Sequence, residues 1–413
     1  MPPVTVPCPV TAPVPAESCP PVGGTPSHPP GVPWDEARTR AHRAARPAAA
    51  QHVPLSGAHG LTLARDLLTL APHPAFDTAA MDGFAVAGPP PWSVRGTARA
   101  GTPWPGVLGE GECVRIATGA LVPPGAGAVV PLEVATVAGG HVSGPALFEG
   151  RHIRRTGEDA AAGACLAPAG TRIGPAPVGL AAAAGHDTLP VRPRPRVAVL
   201  VTGDELDHAG VPGPGRVRDA LGPFLPGLVA QLGGETIALR HVPDHPSGRL
   251  AREVHGCDEA DVLVVTGSTS VGSTDRLRCL LAGSEARMVV DTVACRPGHP
   301  MLLAELPTGQ HLVGLPGNPY AALVAARTLL GPLLAGLSGR ALPRLPRVPV
   351  HGDTRTTAGH TRLVPVSWTD DGCRIAAGHG AAFLRGAAVG DALAALGPYW
   401  TDGSPAPLLL PGA

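Results

Sequence analysis

The chain contains no lysine: all 32 of its basic residues are arginine. Alanine, glycine and proline are so abundant that this reads as a biased codon supply, and an arginine where lysine is usual carries little functional meaning. Acidic residues also number 32, formal net charge is zero, and no dense arginine run interleaves with aromatics. A nucleic-acid face or a basic membrane patch is therefore not expected, and the expected partner is a small molecule. The eight cysteines include no C-x-x-C pair, which argues against structural zinc and a disulfide scaffold and for reduced, mostly buried thiols. Apolar stretches are cut by Gly, Pro or charge before reaching bilayer length, and no basic segment followed by an apolar one opens the chain. No membrane contact and a cytoplasmic location are expected. Walker A, G-x-G-x-x-G after the first α/β strand, H-E-x-x-H and G-x-S-x-G are all missing, which sets aside the usual NTPase, dinucleotide, metalloprotease and hydrolase readings.

What is present divides 413 residues into several folding units. Residues 1–33 hold twelve prolines and almost no periodic apolar pattern, so a disordered tail is expected. Residues 34–70 with 151–191 are expected to form an N-terminal helical and linker domain, with one helix from Asp35 to about Ala49 and a second over Val178–Gly185 packed beside it. Residues 71–150 carry short β-prone runs between Gly and Pro clusters and predict a small β-rich domain. In 192–340 short apolar strands alternate with helical segments: strands at Val197–Val201, Glu235–Val242, Val262–Val265, Met288–Val293 and Leu312–Leu315, and helices at Pro223–Gly233, Leu250–His255, Asp275–Leu281 and Ala321–Leu334. That alternation predicts a parallel sheet with helices on both faces. Asn318 is expected to cap the last helix, with Pro319 in its first turn. Residues 341–413, after Pro343, Pro346 and Pro349, predict a small C-terminal β-domain.

Three polar, Gly-containing segments each follow an apolar strand of the α/β part: Thr202-Gly203-Asp204-Glu205, Thr266 to Gly272 (T-G-S-T-S-V-G), and Pro316-Gly317-Asn318-Pro319. In open parallel sheets the C-terminal strand ends converge on one crevice, so all three are expected at one ligand site. Small residues and free N–H groups in the second segment suit a phosphate or similar oxyanion. Arg296-Pro297-Gly298-His299-Pro300 adds a permanent cation and a titratable one on a rigid turn. The carboxylates Asp82, Glu205, Asp219 and Asp275 lie in or beside Gly-rich loops. At an anion site they call for a hard cation such as Mg²⁺ between them and the ligand, while the ordinary alternative for each is a cap or turn residue.

These residues resemble the MoeA family, whose eukaryotic relatives include the E-domain of gephyrin. The run from Pro74 to Val86, with Met81-Asp82-Gly83, looks like the family hallmark, and Arg115-Ile116-Ala117-Thr118-Gly119-Ala120 resembles its I-x-T-G-A. Gly157-Glu158-Asp159, Pro195 through Leu206, Ser270-Val271-Gly272 with Asp275, Pro297-Gly298 and Leu315-Pro316-Gly317-Asn318-Pro319 follow in the family's order, over about residues 34 to 400. The resemblance implies α/β plus β-rich domains in an elongated multi-domain homodimer, with a central doubly wound, MogA-like α/β domain and a small C-terminal β-domain. It implies that adenylylated molybdopterin and molybdate give molybdenum cofactor and AMP with Mg²⁺ assistance. By the same carry-over, Asp82 and Thr118 act across the dimer, and Asp275 and Glu205, with Asp219, sit near phosphate and metal. Gly267, Ser268, Ser270 and Gly272 cradle phosphate, Arg296 and His299 attract anions, and Pro316 to Pro319 shape the pocket. The chain departs from the pattern at Ser268, at Leu221 in Asp219-Ala220-Leu221, at His299 and at Gly127, where an acidic residue is common. Two other readings stay open on those departures and on the α/β part: a non-catalytic paralogue that binds molybdopterin or a protein, and a molybdopterin adenylyltransferase. The N-terminal half argues against the second.

Overall fold

The computed structural model describes residues 31–246, 248–267 and 276–411. They form two compact units: residues up to Ala49 with those from Arg192 onward, and Ala50–Val191.

The first unit is organised by a six-stranded sheet, in spatial order Glu235–Val242, Arg196–Thr202, Val262–Thr266, His311–Leu315, Leu302–Glu305 and Arg287–Asp291. The first four strands are parallel; Leu302–Glu305 runs antiparallel to both its neighbours, so Arg287–Asp291 points the same way as the first four. Side chains alternate across it. Val197, Val199 and Val201 join one core with helix Leu221–Leu232, while Ala198 and Leu200 join another with Leu250, Val254, Leu277 and Leu281. Burial on both faces explains why these strands read as nearly continuous apolar runs, and it makes the sheet doubly wound. The sheet is mixed, however, not purely parallel. The antiparallel strand Leu302–Glu305 was not anticipated, because Met301-Leu302-Leu303-Ala304 follows a Pro-Gly turn with no alternation to mark it. The expected strand Met288–Val293 also breaks, at Thr292, whose φ of 61° is left-handed. Beyond it, Val293–Arg296 leaves for a second sheet.

That second, seven-stranded sheet runs Val32–Pro33, Val293–Arg296, Thr361–Thr369, Gly372–Ile375, Arg347–His351, Pro405–Leu409, Ala392–Leu396. Leu363, Leu393 and Leu409 reach the same core as the α/β helices. Helix Trp34–Ala44, placed by its sequence with 151–191, belongs to this unit. Trp34 Nε1 donates to Thr328 Oγ1 at 3.0 Å, and Gly336 admits the helix closely, since a Cβ there would lie 2.6 Å from the His42 carbonyl oxygen. The closing helix runs Pro319–Leu337, long and apolar enough to cross a membrane by length and composition, yet largely buried in this core. Its middle, Ala326–Leu330, is a π turn just ahead of Pro332. A proline lacks the N–H and crowds the carbonyl four residues back, and the wider turn relieves both.

In the second unit a six-stranded sheet runs Thr136–Ala138, His141–Ser143, Trp92–Ala98, Glu112–Ile116, Gly83–Val86, Ala128–Pro131. Phe84, Val86, Trp92 and Val130 pack on one face, and Ala85, Val114, Ile116 and Val129 on the other. Strands Gln51–Pro54 and Thr62–Leu63 flank Thr188–Arg192, and helix Pro175–Ala183 buries Ala181 in the small core beside them. Gly83 has no special φ. Its role is close approach, because a Cβ would stand 2.0 Å from the Val130 carbonyl oxygen. Gly83→Ala is therefore expected to destabilise this unit by about 1–3 kcal/mol, the usual cost of overpacking. Thermal unfolding within 0.5 °C of the parent would refute that close approach.

Candidate functional site

In-register parallel pairing ends three strands together, with Val201 opposite Thr266 and Thr266 opposite Leu315. The loops they feed touch. Thr202 Oγ1 donates to the Thr266 carbonyl at 2.6 Å, and the Gly267 N–H donates to the Leu315 carbonyl at 2.9 Å. Gly267 has φ +76°, and a Cβ on it would sit 2.7 Å from Thr202 Oγ1, so glycine is required there on both grounds. Gly317 lies alongside, where its Cβ would come 3.8 Å from Gly267 Cα. The three segments expected at one crevice are thus brought together as far as Gly267. Ser268, Ser270, Gly272 and Asp275 lie outside the described residues.

Asn318 occupies the N-cap position, with its carbonyl accepting from the Ala322 N–H at 2.8 Å, but its side chain makes no capping bond. Asp219 behaves differently from a ligand-facing carboxylate: buried, it accepts from the N–H groups of Leu221 and Gly222, both at 2.9 Å, and so closes the start of helix Leu221–Leu232. Glu205 is exposed, and its carboxylate folds over Gly203, which a Cβ would bring to 2.6 Å from Oε2. Among the described residues no group of three or more His, Cys, Asp and Glu could hold a metal ion.

Arg296 and His299 come together with two residues that the sequence did not single out. Cys295–Arg296 pairs in parallel with Thr361–Arg362, so Arg296 and Arg362 stand side by side on one face. The His299 and His360 rings lie 5.8 Å apart. Arg362 Nε is buried without a partner, and no ion pair joins either arginine to a carboxylate among the described residues. Like charges directly opposite on neighbouring strands repel, and no described carboxylate offsets this pair. The turn before them needs Gly298, φ +100°, packed near Met301 Cε and the Ala321 carbonyl. His299 Nδ1 is held by the Val293 carbonyl at 2.7 Å, which fixes the ring and its tautomer. Tyr320, next to the third loop, donates to the Leu363 carbonyl at 3.1 Å and ties that loop to the arginine pair. Arg362 was legible only as part of a strand, because its neighbour in space is 66 positions away in sequence.

In the second unit Asp82 and Thr118 meet. Asp82 Oδ1 accepts from the Thr118 N–H at 2.7 Å and from its hydroxyl at 2.9 Å. These bonds, the backbone one foremost, and Arg115 nearby hold the Asp82 carboxyl below its ordinary value. Asp77 is held in the same way by Thr156, but there Arg155 also takes the second oxygen. Asp82 is exposed with its Oδ2 uncommitted, and of the two it is the carboxylate suited to a ligand. At Gly127 the space of a side chain is filled by Glu149, whose Oε2 lies 2.6 Å from where a Cβ would be, so an acidic group stands there from another segment.

The fold is a doubly wound α/β unit with a crevice at its strand ends, in a chain whose β-rich unit presents a carboxylate clasped by Thr118. Residues 32–185 match the MoeA N-terminal region (domain I and II), and residues 198–336 match a probable molybdopterin binding domain. Molybdopterin molybdenumtransferase 2 of Mycobacterium tuberculosis is 34% identical over 330 residues, covering 74% of this chain and 78% of that protein. Molybdopterin molybdenumtransferase of Synechococcus elongatus is 35% identical over 305 residues, covering 70% and 75%. The crystal structure of a molybdopterin biosynthesis MoeA protein from Pyrococcus horikosii superposes with a TM-score of 0.73 at 25% identity, over 92% of this chain and 99% of that one. This chain belongs to the MoeA family.

Because Thr118 lowers the Asp82 pKa, Thr118→Val is expected to raise it toward the ordinary carboxylate value, partially, since the backbone N–H remains. The sign follows from a depressed folded value: the stabilisation is full above the unfolded pKa and is lost as pH falls through the folded one. Carboxyl ¹³C shifts of Asp82 titrated by NMR measure this, and coincident curves for parent and variant would remove the hydroxyl from the account.

Proposed function

We propose that this chain is a molybdopterin molybdenumtransferase, which inserts molybdenum from molybdate into adenylylated molybdopterin and releases AMP in molybdenum cofactor biosynthesis. The observation that supports this best is the uncompensated Arg296–Arg362 pair beside His299 and His360, next to a crevice of three Gly-rich strand ends. A dianionic oxyanion such as molybdate, or a substrate phosphate, satisfies both guanidinium groups at once. The family membership and the names of the relatives point to the same chemistry.

In this reading Arg296, Arg362 and His299 draw in and hold the anions. Gly267 lets the backbone approach phosphate, with Ser268, Ser270 and Gly272 continuing the cradle, and Pro316, Gly317, Asn318 and Pro319 form the pocket wall. Magnesium is held in such sites by one or two carboxylates together with substrate phosphates. Glu205 has an exposed carboxylate that fits this need, with Asp275 as its proposed companion, whereas buried Asp219 has its Oδ1 taken by two helix N–H groups and its Oδ2 3.6 Å from His208 Nδ1, and fits poorly. Bound there, the ion would neutralise charge between carboxylate and phosphate. Asp82 and Thr118 of one subunit would complete the site of the other in a homodimer working in the cytoplasm.

The test incubates purified protein with adenylylated molybdopterin, Mg²⁺ and molybdate and follows AMP by chromatography. Molybdate-dependent AMP release that is abolished by Asp275→Ala is expected. Arg362→Ala should raise the molybdate concentration for half-maximal release by about tenfold or more, the loss of one charge-assisted anion contact. Tight ligand binding with no AMP release would instead identify a binding-only relative.

A further inference from the structure

The segment Asp204-Glu205-Leu206-Asp207 places three carboxylates in four positions on an irregular loop, where mutual repulsion works against any fixed shape. Yet each of its backbone carbonyls, and that of Gly203 before it, is hydrogen-bonded. His241 Nε2 donates to the Gly203 carbonyl at 2.9 Å, the Val217 N–H to Glu205 at 2.8 Å, and the Asp219 N–H to Asp207 at 2.9 Å. The remaining two acceptors belong to one side chain. Arg216 donates to the Asp204 carbonyl at 2.6 Å and the Leu206 carbonyl at 2.8 Å, and its Nε holds Asp207 Oδ1 at 2.9 Å. One planar guanidinium therefore grips the backbone on either side of Glu205 and neutralises the flanking carboxylate. A lysine ammonium could not span these acceptors in fixed geometry. The Glu205 carboxylate alone makes no hydrogen bond in this network and lies over Gly203, whose carbonyl His241 fixes from the edge strand.

We propose that Arg216 is a positioning residue for Glu205: it clamps the Gly203–Asp207 loop so that this carboxylate is presented to the crevice in one orientation, with His241 as the second anchor. The proposal rests on the functional reading above, in which Glu205 meets the substrate phosphates. Arg216 acts on Glu205 from within the protein, by fixing the loop backbone and, more weakly, by its charge.

The test uses full-length protein and two readouts. Amide hydrogen exchange across Gly203–Asp207, which needs no turnover, is expected to quicken about tenfold in Arg216→Gln and by a similar amount in Arg216→Lys. In AMP release, Arg216→Gln should lower kcat about tenfold and leave KM within about twofold, the pattern of a lost transition-state contact. In a Glu205→Gln background, the same Arg216→Gln change should alter kcat less than about twofold, because the group it positions is gone. Independent losses that multiply, or a Glu205→Gln variant with full kcat, would overturn the assignment. If the parent protein releases no AMP, the functional reading fails, and exchange still decides the clamp: unchanged exchange in both Arg216 variants refutes it, and faster exchange upholds it. Should Arg216→Gln not fold, Arg216→Lys carries the same comparison.

Discussion

The in-register parallel pairing of Arg196–Thr202, Val262–Thr266 and His311–Leu315 is the constraint from which the crevice follows. Parallel strands that are buried on both faces cannot slip by one residue without moving every apolar side chain to the wrong core. Because the register is fixed by packing, the strand ends coincide, and because they coincide, Gly267 falls against Thr202 and beside Gly317. The glycines then do at close range what no other residue permits, bringing backbone against backbone with room above it. The crevice is thus a by-product of how the hydrophobic core is specified.

Charge in the first unit is sorted by element. The acidic loop after Arg196–Thr202 carries its own cation, Arg216, which pairs with Asp207, while Asp204 turns to His245 and Glu205 stays exposed. The Arg296–Arg362 pair is not balanced by any described carboxylate, and its excess positive charge is available to a ligand. In the second unit the contrast between Asp77 and Asp82 follows the same logic: a second arginine contact turns one Asp–Thr clasp into a structural tie and leaves the other open.

Local pattern carried much of this in the sequence. Apolar runs at Val197–Val201 and Val262–Val265, and the polar Gly segments after them, are readable because burial and strand termination leave marks within a few residues. Asp82 and Thr118 were legible as parts of separate motifs, and their contact emerged only through the sheet that pairs Gly83 with Ile116. What escaped depends on partners distant in the chain. Nothing near Arg362 announces Arg296, nothing near Gly127 announces Glu149, and an Arg in a Pro-Gly loop such as Arg216 looks like any solvated cation. The antiparallel strand Leu302–Glu305 and the break at Thr292 were hidden for another reason: short apolar runs look alike in parallel and antiparallel company.

The π turn at Ala326–Leu330 divides the closing helix into two halves that serve different neighbours. The first half lies on the His311–Leu315 strand, and the second on helices Trp34–Ala44 and Leu221–Leu232. A π turn holds one residue more than an α turn, and each residue advances an α-helix by about 100°. That single surplus residue sets the rotation between the halves, much as a vernier sets two scales. Losing it would swing Leu333 and Leu337 off their neighbours by more than a quarter turn while the composition stayed nearly the same. Over this short stretch Thr328, which holds Trp34, and Arg327, which holds the Leu410 carbonyl, are fixed by their contacts, while for the apolar residues around them number matters more than identity.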